Sequence, residues 1–187
     1  MAKRYGTVIG IDPDTGKSGV ACLDIESRAL ELRSLTFPQM LEAIRELYDK
    51  RPKPFIVVIE AGYLNKPHWH LQRFEKPSIA AAKGNSVGRN QQVAHDLVAC
   101  LDYYGIPYTT IKPLVKMWNG PDRKITHEEL VYFTGLKDKR TNPETRDAAL
   151  LAWAYADFPF GRMLNAPKSS VPNAENRRRI TYPKGVI

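Results

Sequence analysis

The sequence predicts an α/β protein in which a mixed sheet is covered by helices on both faces. Three strand patterns come first, in residues 5–12, 18–25 and 28–35, before any helix pattern. Residues 55–60 then form an unbroken apolar run that ends in an acid, which is typical of a strand buried on both sides. Because helix and strand patterns alternate after that point, we expect the sheet to continue with parallel strands.

The first three strands follow one another closely, so we expect them to pair as an antiparallel meander. Pro38 opens a helix whose apolar residues recur at helical spacing, and Pro52 ends it. A helix pattern resumes over residues 87–104, and a short strand follows at 106–111. Residues 61–86, which separate the buried strand from that helix, are polar and interrupted by prolines and a glycine. This composition predicts a long loop, and a loop of this length in a compact domain is usually functional or disordered.

Three features complete the pattern towards the end of the chain. Pro113 predicts a helical turn that runs to Trp118. Thr126 and Glu129 have the spacing of a capping box, which predicts the start of a further helix. A last, alanine-rich helix is expected over residues 144–158, after a proline that suits its first turn.

The length of 187 residues predicts one domain with a full core, which we place at residues 1–160. Residues 161–187 contain several prolines, three consecutive arginines and few apolar residues. They predict an extended or mobile tail.

The net charge of +8 is unevenly distributed along the chain. Residues 63–91 carry five basic side chains and one acidic, and residues 161–187 carry six basic and one acidic, whereas the rest is close to neutral. Two basic segments beside a body with clustered acids favour a polyanionic ligand. A solubilising surface with a disordered tail would have the same composition.

The two cysteines, Cys22 and Cys100, fall inside apolar patterns and lack the spacing of metal ligands. We interpret them as reduced thiols, which together with the absence of a signal-peptide pattern predicts a cytoplasmic protein. No apolar stretch is long enough to cross a membrane, so we expect no membrane partner.

Four acids stand where the predicted elements meet one edge of the sheet. Asp12 and Glu60 each end an apolar strand, and Glu144 and Asp147 lie three residues apart at the start of the last helix, on one of its faces. Singly, each could be a turn residue, a solvated strand end or an acid that complements a helix dipole. Together they predict a set of oxygen ligands suited to Mg²⁺ and phosphate-ester chemistry.

The segment from Gly10 to Ser18 contains Gly-Lys-Ser and is superficially similar to a phosphate-binding P-loop. That loop has four residues between its first glycine and the Gly-Lys pair, whereas this chain has five. Asp12 and Asp14 would also direct negative charge at the phosphates. We therefore expect no nucleotide cofactor and interpret the segment as a strand end followed by a turn.

Several segments resemble a known family. Gly10-Ile11-Asp12-Pro13, then Ile59-Glu60, then the stretch 144–152 are similar to the three signature segments of RuvC-type Holliday junction resolvases. The order of strands and helices also resembles that of the ribonuclease H-like fold. The resemblance covers about residues 5–158, and Asp14 departs from it because the family usually has glycine there.

The resemblance implies a homodimeric DNA endonuclease that makes paired symmetric nicks in a four-way junction. It implies two Mg²⁺ ions per active site, with Mn²⁺ as a possible substitute. Carried over by position, Asp12 and Asp147 would bind metal directly, Glu60 would bridge or hold the second ion, and Glu144 would take the fourth acidic place.

The resemblance also implies that residues 61–87 face the junction. Tyr63 matches an aromatic residue that stacks on bases at the junction centre, although a tyrosine covering a small local core would give the same pattern. His68 and His70 are more typical of surface residues than of a metal site. The cations that we expect to contact phosphate are Arg73, Lys76, Lys83, Arg89, Lys116 and Lys124.

Three other functions compete with this interpretation. A nuclease of the same fold that acts on flaps or RNA–DNA hybrids would use the same carboxylates. An inactive DNA-binding module would retain the fold, but retention of all four acids argues against it. A sugar-kinase-like nucleotide site would need two domains of this kind, for which 187 residues are too few.

Overall fold

The structure, a computed structural model, describes residues 5–50, 54–65, 76–137 and 140–160. Within these residues, five strands form one sheet in the order β3-β2-β1-β4-β5. The first three strands pair antiparallel, whereas β4 is parallel to both β1 and β5. The strands are β1 (Thr7–Asp12), β2 (Ser18–Asp24), β3 (Leu30–Leu35), β4 (Phe55–Glu60) and β5 (Tyr108–Ile111). The predicted mixed sheet and its ribonuclease H-like order of elements are confirmed.

In the described part of the chain, four α-helices lie between and after the strands. They are α1 (Phe37–Lys50), α2 (Pro77–Tyr104), α3 (His127–Thr134) and α4 (Pro143–Tyr155). Short 3₁₀ turns occur at Gly62–Leu64 and Pro121–Arg123. The predicted capping box of Thr126 and Glu129 is present at the start of α3. No helix in the described ranges has the combination of length and apolar composition needed to cross a membrane.

Alternate residues of the central strands face two separate cores. Val8 and Val58 pack on the side of α4, with Trp153. Ile9 and Val57 pack on the side of α1 and α2. Since both faces of β1 and β4 are covered, these strands are apolar throughout instead of alternating with polar residues.

Two local predictions are wrong. Residues 77–86 belong to α2 and not to the predicted loop, because Pro77 starts the helix ten residues before its apolar pattern begins. Most of this stretch is exposed, so it has no buried face that could produce helical periodicity. The helical turn predicted from Pro113 to Trp118 is also absent, and these residues are irregular. Cys22 and Cys100 are not joined in a disulfide bond, and both are partly buried.

Candidate functional site

Asp12 and Glu60 end neighbouring strands at one edge of the sheet. β1 and β4 are parallel, with Ile11 opposite Ile59, so the acid that follows each isoleucine emerges at the same place. The strands themselves are buried, whereas the two acids are partly exposed. Rigid strands therefore hold both carboxylates where the sheet meets solvent.

Helix α4 brings the other two acids to this edge. Asn142 caps the helix by accepting a hydrogen bond from the Thr145 backbone N–H at 2.8 Å, and Pro143 occupies its first turn. The helix lies close to β1 and β2 because Gly10 and Gly19 have no side chain. A Cβ atom at Gly10 or at Gly19 would overlap a backbone carbonyl oxygen of α4.

The four acids predicted from the sequence line one cavity of about 180 Å³. Lys116 and Lys124, which we expected to contact phosphate, also line it. The Nζ atom of Lys124 lies 3.1 Å from Oδ2 of Asp147, and the two side chains are only 30% and 18% exposed. The structure therefore unites Asp12, Glu60, Glu144 and Asp147 with two cations.

Burial and neighbouring charges raise the pKa of two of these carboxyl groups. The pKa of Asp12 is raised from 3.8 to about 8, first by burial and then by the charges of Glu60, Asp147 and Glu144. The pKa of Glu60 is raised from 4.5 to about 7, first by burial and then by Asp147. Lys124 acts in the opposite direction on both groups. Ionising all four acids together would thus place more negative charge in the cavity than its own cations offset.

Lys124 responds to the same field. Burial alone would lower the pKa of Lys124, but the ion pair with Asp147 and the charges of Asp12 and Glu144 raise it by more. The ammonium is therefore held in its charged form beside the acids.

The donor set of this cavity suits a hard divalent cation. No three His, Cys, Asp or Glu side chains in the described part of the chain are placed so that they could by themselves hold a metal ion. Mg²⁺ does not require such a cage, because it keeps several waters and binds through one or two carboxylates together with substrate phosphates. Carboxylates from three elements around one cavity, with repulsion that a cation would relieve, fit that mode of binding.

Arg146, next to Asp147 on α4, was not predicted to have a role of its own. Its Nε donates a hydrogen bond to the carbonyl oxygen of Ile125 at 2.8 Å, and a terminal nitrogen donates to that of Thr141 at 2.9 Å. Lys124, which precedes Ile125, and Asp147, which follows Arg146, form the ion pair described above. Arg146 therefore ties the segment that carries Lys124 to α4.

The other predicted contacts that the structure describes are not among the residues that line the cavity. Lys76 immediately precedes α2, and Lys83 and Arg89 lie on its exposed first half. Tyr63 follows β4 and stacks on His95 of α2, with ring centroids 4.1 Å apart and planes inclined by 19°. Arg73, His68, His70 and the tail 161–187 lie outside the described residues.

No protein-family model matches the sequence, and neither does any curated protein. Among solved structures, the chain is similar to RuvC of T. thermophilus in complex with a Holliday junction substrate, with 16% identity and a TM-score of 0.46 over 80% of this chain and 92% of that one. It is also similar to the catalytic core domain of BIV integrase, with 14% identity and a TM-score of 0.30 over 79% of this chain and 80% of that one. Both are resemblances in fold at low identity, so the function proposed for this chain rests on its own site residues.

Proposed function

We propose that this protein is a metal-dependent, structure-selective DNA endonuclease that resolves four-way junctions by hydrolysis of phosphodiester bonds. The observation that carries the proposal is the meeting of four carboxylates from β1, β4 and α4 at one cavity. A structural role does not account for this arrangement, because burying like charges together destabilises a fold unless a ligand compensates them.

Divalent metal bound by these acids, Mg²⁺ or Mn²⁺ and two ions in the full site, would activate water and stabilise the charge on the leaving oxygen. The protein's own groups have separate tasks. Asp12 and Glu60, on rigid strand ends, would hold the first ligands in place, and Asp147 and Glu144 would complete the set from α4. Lys116 and Lys124 would attract the scissile phosphate to an otherwise acidic cavity.

DNA selectivity would come from the surface around the cavity. The exposed first half of α2 carries cations that suit a phosphate backbone. Tyr63, just beyond the end of β4, packs one face of its ring on His95 and would stack on a base at the junction centre with the other. Each chain has one cavity of this kind among its described residues, so paired nicks require two copies, and we propose a homodimer.

The test is a gel assay with Mg²⁺ on four end-labelled substrates: a four-way junction, a flap, a linear duplex and an RNA–DNA hybrid. The expected result is paired, symmetric nicks confined to the junction. Cleavage of the flap or the hybrid instead would support the proposed metal site but show that the substrate is not the four-way junction. Tight junction binding without cleavage of any substrate would overturn the nuclease proposal in favour of an inactive binding module.

Two substitutions test the site within the same assay. Asp12→Asn and Asp147→Asn should each lower the cleavage rate by about 10³-fold, because several kcal/mol of transition-state stabilisation would be lost. Junction affinity should be retained or improved, since repulsion of phosphate falls. The matched control is Asp49→Asn, at an exposed position of α1, which should cleave at the wild-type rate. Full activity of either site variant would refute the assignment.

A further inference from the structure

The loop that follows Asp12 has a defined shape set by Asp14. The Oδ1 atom of Asp14 accepts a hydrogen bond from the backbone N–H of Gly16 at 2.8 Å. The backbone N–H of Asp14 donates to the hydroxyl of Ser18 at 3.1 Å. These bonds close a tight turn between β1 and β2, two residues beyond the acid that ends β1.

Asn90 of α2 reaches this turn from a distant part of the chain. Its Nδ2 donates a hydrogen bond to Oδ2 of Asp14 at 3.1 Å, and its Oδ1 accepts one from the backbone N–H of Thr15 at 3.3 Å. The amide nitrogen and the amide oxygen of Asn90 therefore both form hydrogen bonds with this turn. Asp14 and Asn90 also line the cavity that contains the four acids.

Asn90 occupies a particular position along α2. The helix is exposed over most of residues 77–89, whereas Ala94, Leu97 and Leu101 are buried against the sheet. Asn90 thus lies where the exposed half, which carries the expected phosphate contacts, meets the half that is packed in the core. A hydrogen-bonded link at this point fixes the direction of the exposed half relative to the end of β1.

We propose that Asp14 and Asn90 are positioning residues that couple DNA bound along α2 to the acids of the cavity. The inference rests on the proposed nuclease function and deepens it. The cations of α2 would set the path of the DNA backbone, and the Asp14–Asn90 link would set where that path passes Asp12. Because a misplacement of about 1 Å costs on the order of 10²-fold in rate, loosening the link slows cleavage without weakening binding.

The experiment compares single-turnover cleavage of a junction with its binding measured in Ca²⁺. Asn90→Ala and Asn90→Asp should lower the cleavage rate about 10–100-fold and leave the junction Kd within about twofold. Asn90→Asp should be the more damaging, because it places two carboxylates opposite each other. Gln92→Ala, an exposed position two residues along the same helix, is the control and should match the wild type.

The decisive variant exchanges the two groups, Asp14→Asn combined with Asn90→Asp. An amide at position 14 can still accept from Gly16 and donate to position 90, and a carboxylate at position 90 can accept from both the amide and Thr15. All three hydrogen bonds can form again, so the exchange should restore most of the rate lost in Asn90→Asp. Thermal unfolding of the wild type, Asn90→Asp and the exchange variant in EDTA should show the same recovery, which is a readout independent of cleavage.

Failure of this inference is distinguishable from failure of the proposed function. A wild type that cleaves, combined with single variants of unchanged rate or an exchange variant no better than Asn90→Asp, would overturn the positioning role alone. Equal losses in rate and in junction affinity would also overturn it, because they would indicate a direct DNA contact. A wild type with no metal-dependent cleavage would overturn both.

Discussion

Gly19 on β2 lies directly against the main chain of Glu144 at the start of α4, and a methyl group at Gly19 would overlap the Glu144 carbonyl oxygen. This contact, with the similar one at Gly10, determines how close α4 comes to the sheet. The positions of Glu144 and Asp147 in the cavity therefore depend on the missing side chain at Gly19, although β2 contributes no acid to the cavity.

Gly19→Ala should push α4 away from the sheet. Because the clash is with backbone, it cannot be relieved by rotating a side chain, and we expect a loss of about 3 kcal/mol or more in the free energy of unfolding. Urea denaturation measures this loss. The control is Gly62→Ala, whose new Cβ would meet Gln91 at an ordinary 3.9 Å, and it should change stability by less than about 0.5 kcal/mol. Equal stability of the two variants would contradict the packing described.

The stability of the metal-free protein should fall as pH rises from about 4 to about 8. The pKa values of Asp12 and Glu60 are raised in the folded protein, to about 8 and about 7 from 3.8 and 4.5. Between these limits the folded state binds more protons than the unfolded state, so the slope of stability against pH is negative. Thermal unfolding in EDTA across this range measures the slope.

Asp12→Asn should reduce that slope. The substitution removes a carboxylate whose ionisation the fold opposes, so at pH 8 it should stabilise the metal-free protein by about 1–3 kcal/mol. At about pH 3, below the pKa of Asp12 in both the folded and the unfolded state, its effect should be small. Asp49→Asn on α1 is the control and should leave the curve unchanged. An Asp12→Asn curve parallel to that of the wild type would rule out this account of Asp12.

The ion pair of Lys124 and Asp147 should contribute more to stability than a surface pair of similar length. A double-mutant cycle with Lys124→Met and Asp147→Asn in EDTA should give a coupling energy of about 1 kcal/mol, since the pair is only partly solvated. Lys50 and Glu46, 3.2 Å apart but 73% and 58% exposed, form the matched comparison. Their coupling should be about 0.3–0.5 kcal/mol, as is usual for exposed helical pairs. Equal couplings would contradict the contribution of burial.

The strand ends and α4 could be predicted because their signals are local. An apolar run that ends in an acid identifies both Asp12 and Glu60, and Pro143 identifies the start of α4. The first half of α2 could not be predicted in this way, because periodicity reflects burial and residues 77–89 are mostly exposed.

The links that organise the cavity were also beyond sequence reasoning. The contact of Asn90 with Asp14 joins residues 76 positions apart, and it involves side chains that are common in turns and on helix surfaces. Arg146 resembles any helical cation until the carbonyl oxygens that accept its hydrogen bonds are known. Which residues contact each other across such distances is determined by the packed fold, whereas strand ends and helix caps are determined by short segments of sequence.

Tyr63 is expected to affect which DNA substrate the protein binds. Its ring is held by stacking on His95, close to the end of the strand that carries Glu60. If the ring stacks on a base at the junction centre, Tyr63→Ala should weaken junction binding by about 5–100-fold, equivalent to about 1–3 kcal/mol, while Tyr63→Phe should bind as the wild type does. Linear duplex, which has no branch point, should bind all three proteins equally. Fluorescence anisotropy in Ca²⁺ measures each Kd. The control is Tyr103→Ala, because Tyr103 is 83% exposed and lies at the C-terminal end of α2. Equal losses on junction and duplex would show that Tyr63 supports the fold and does not select the branch point.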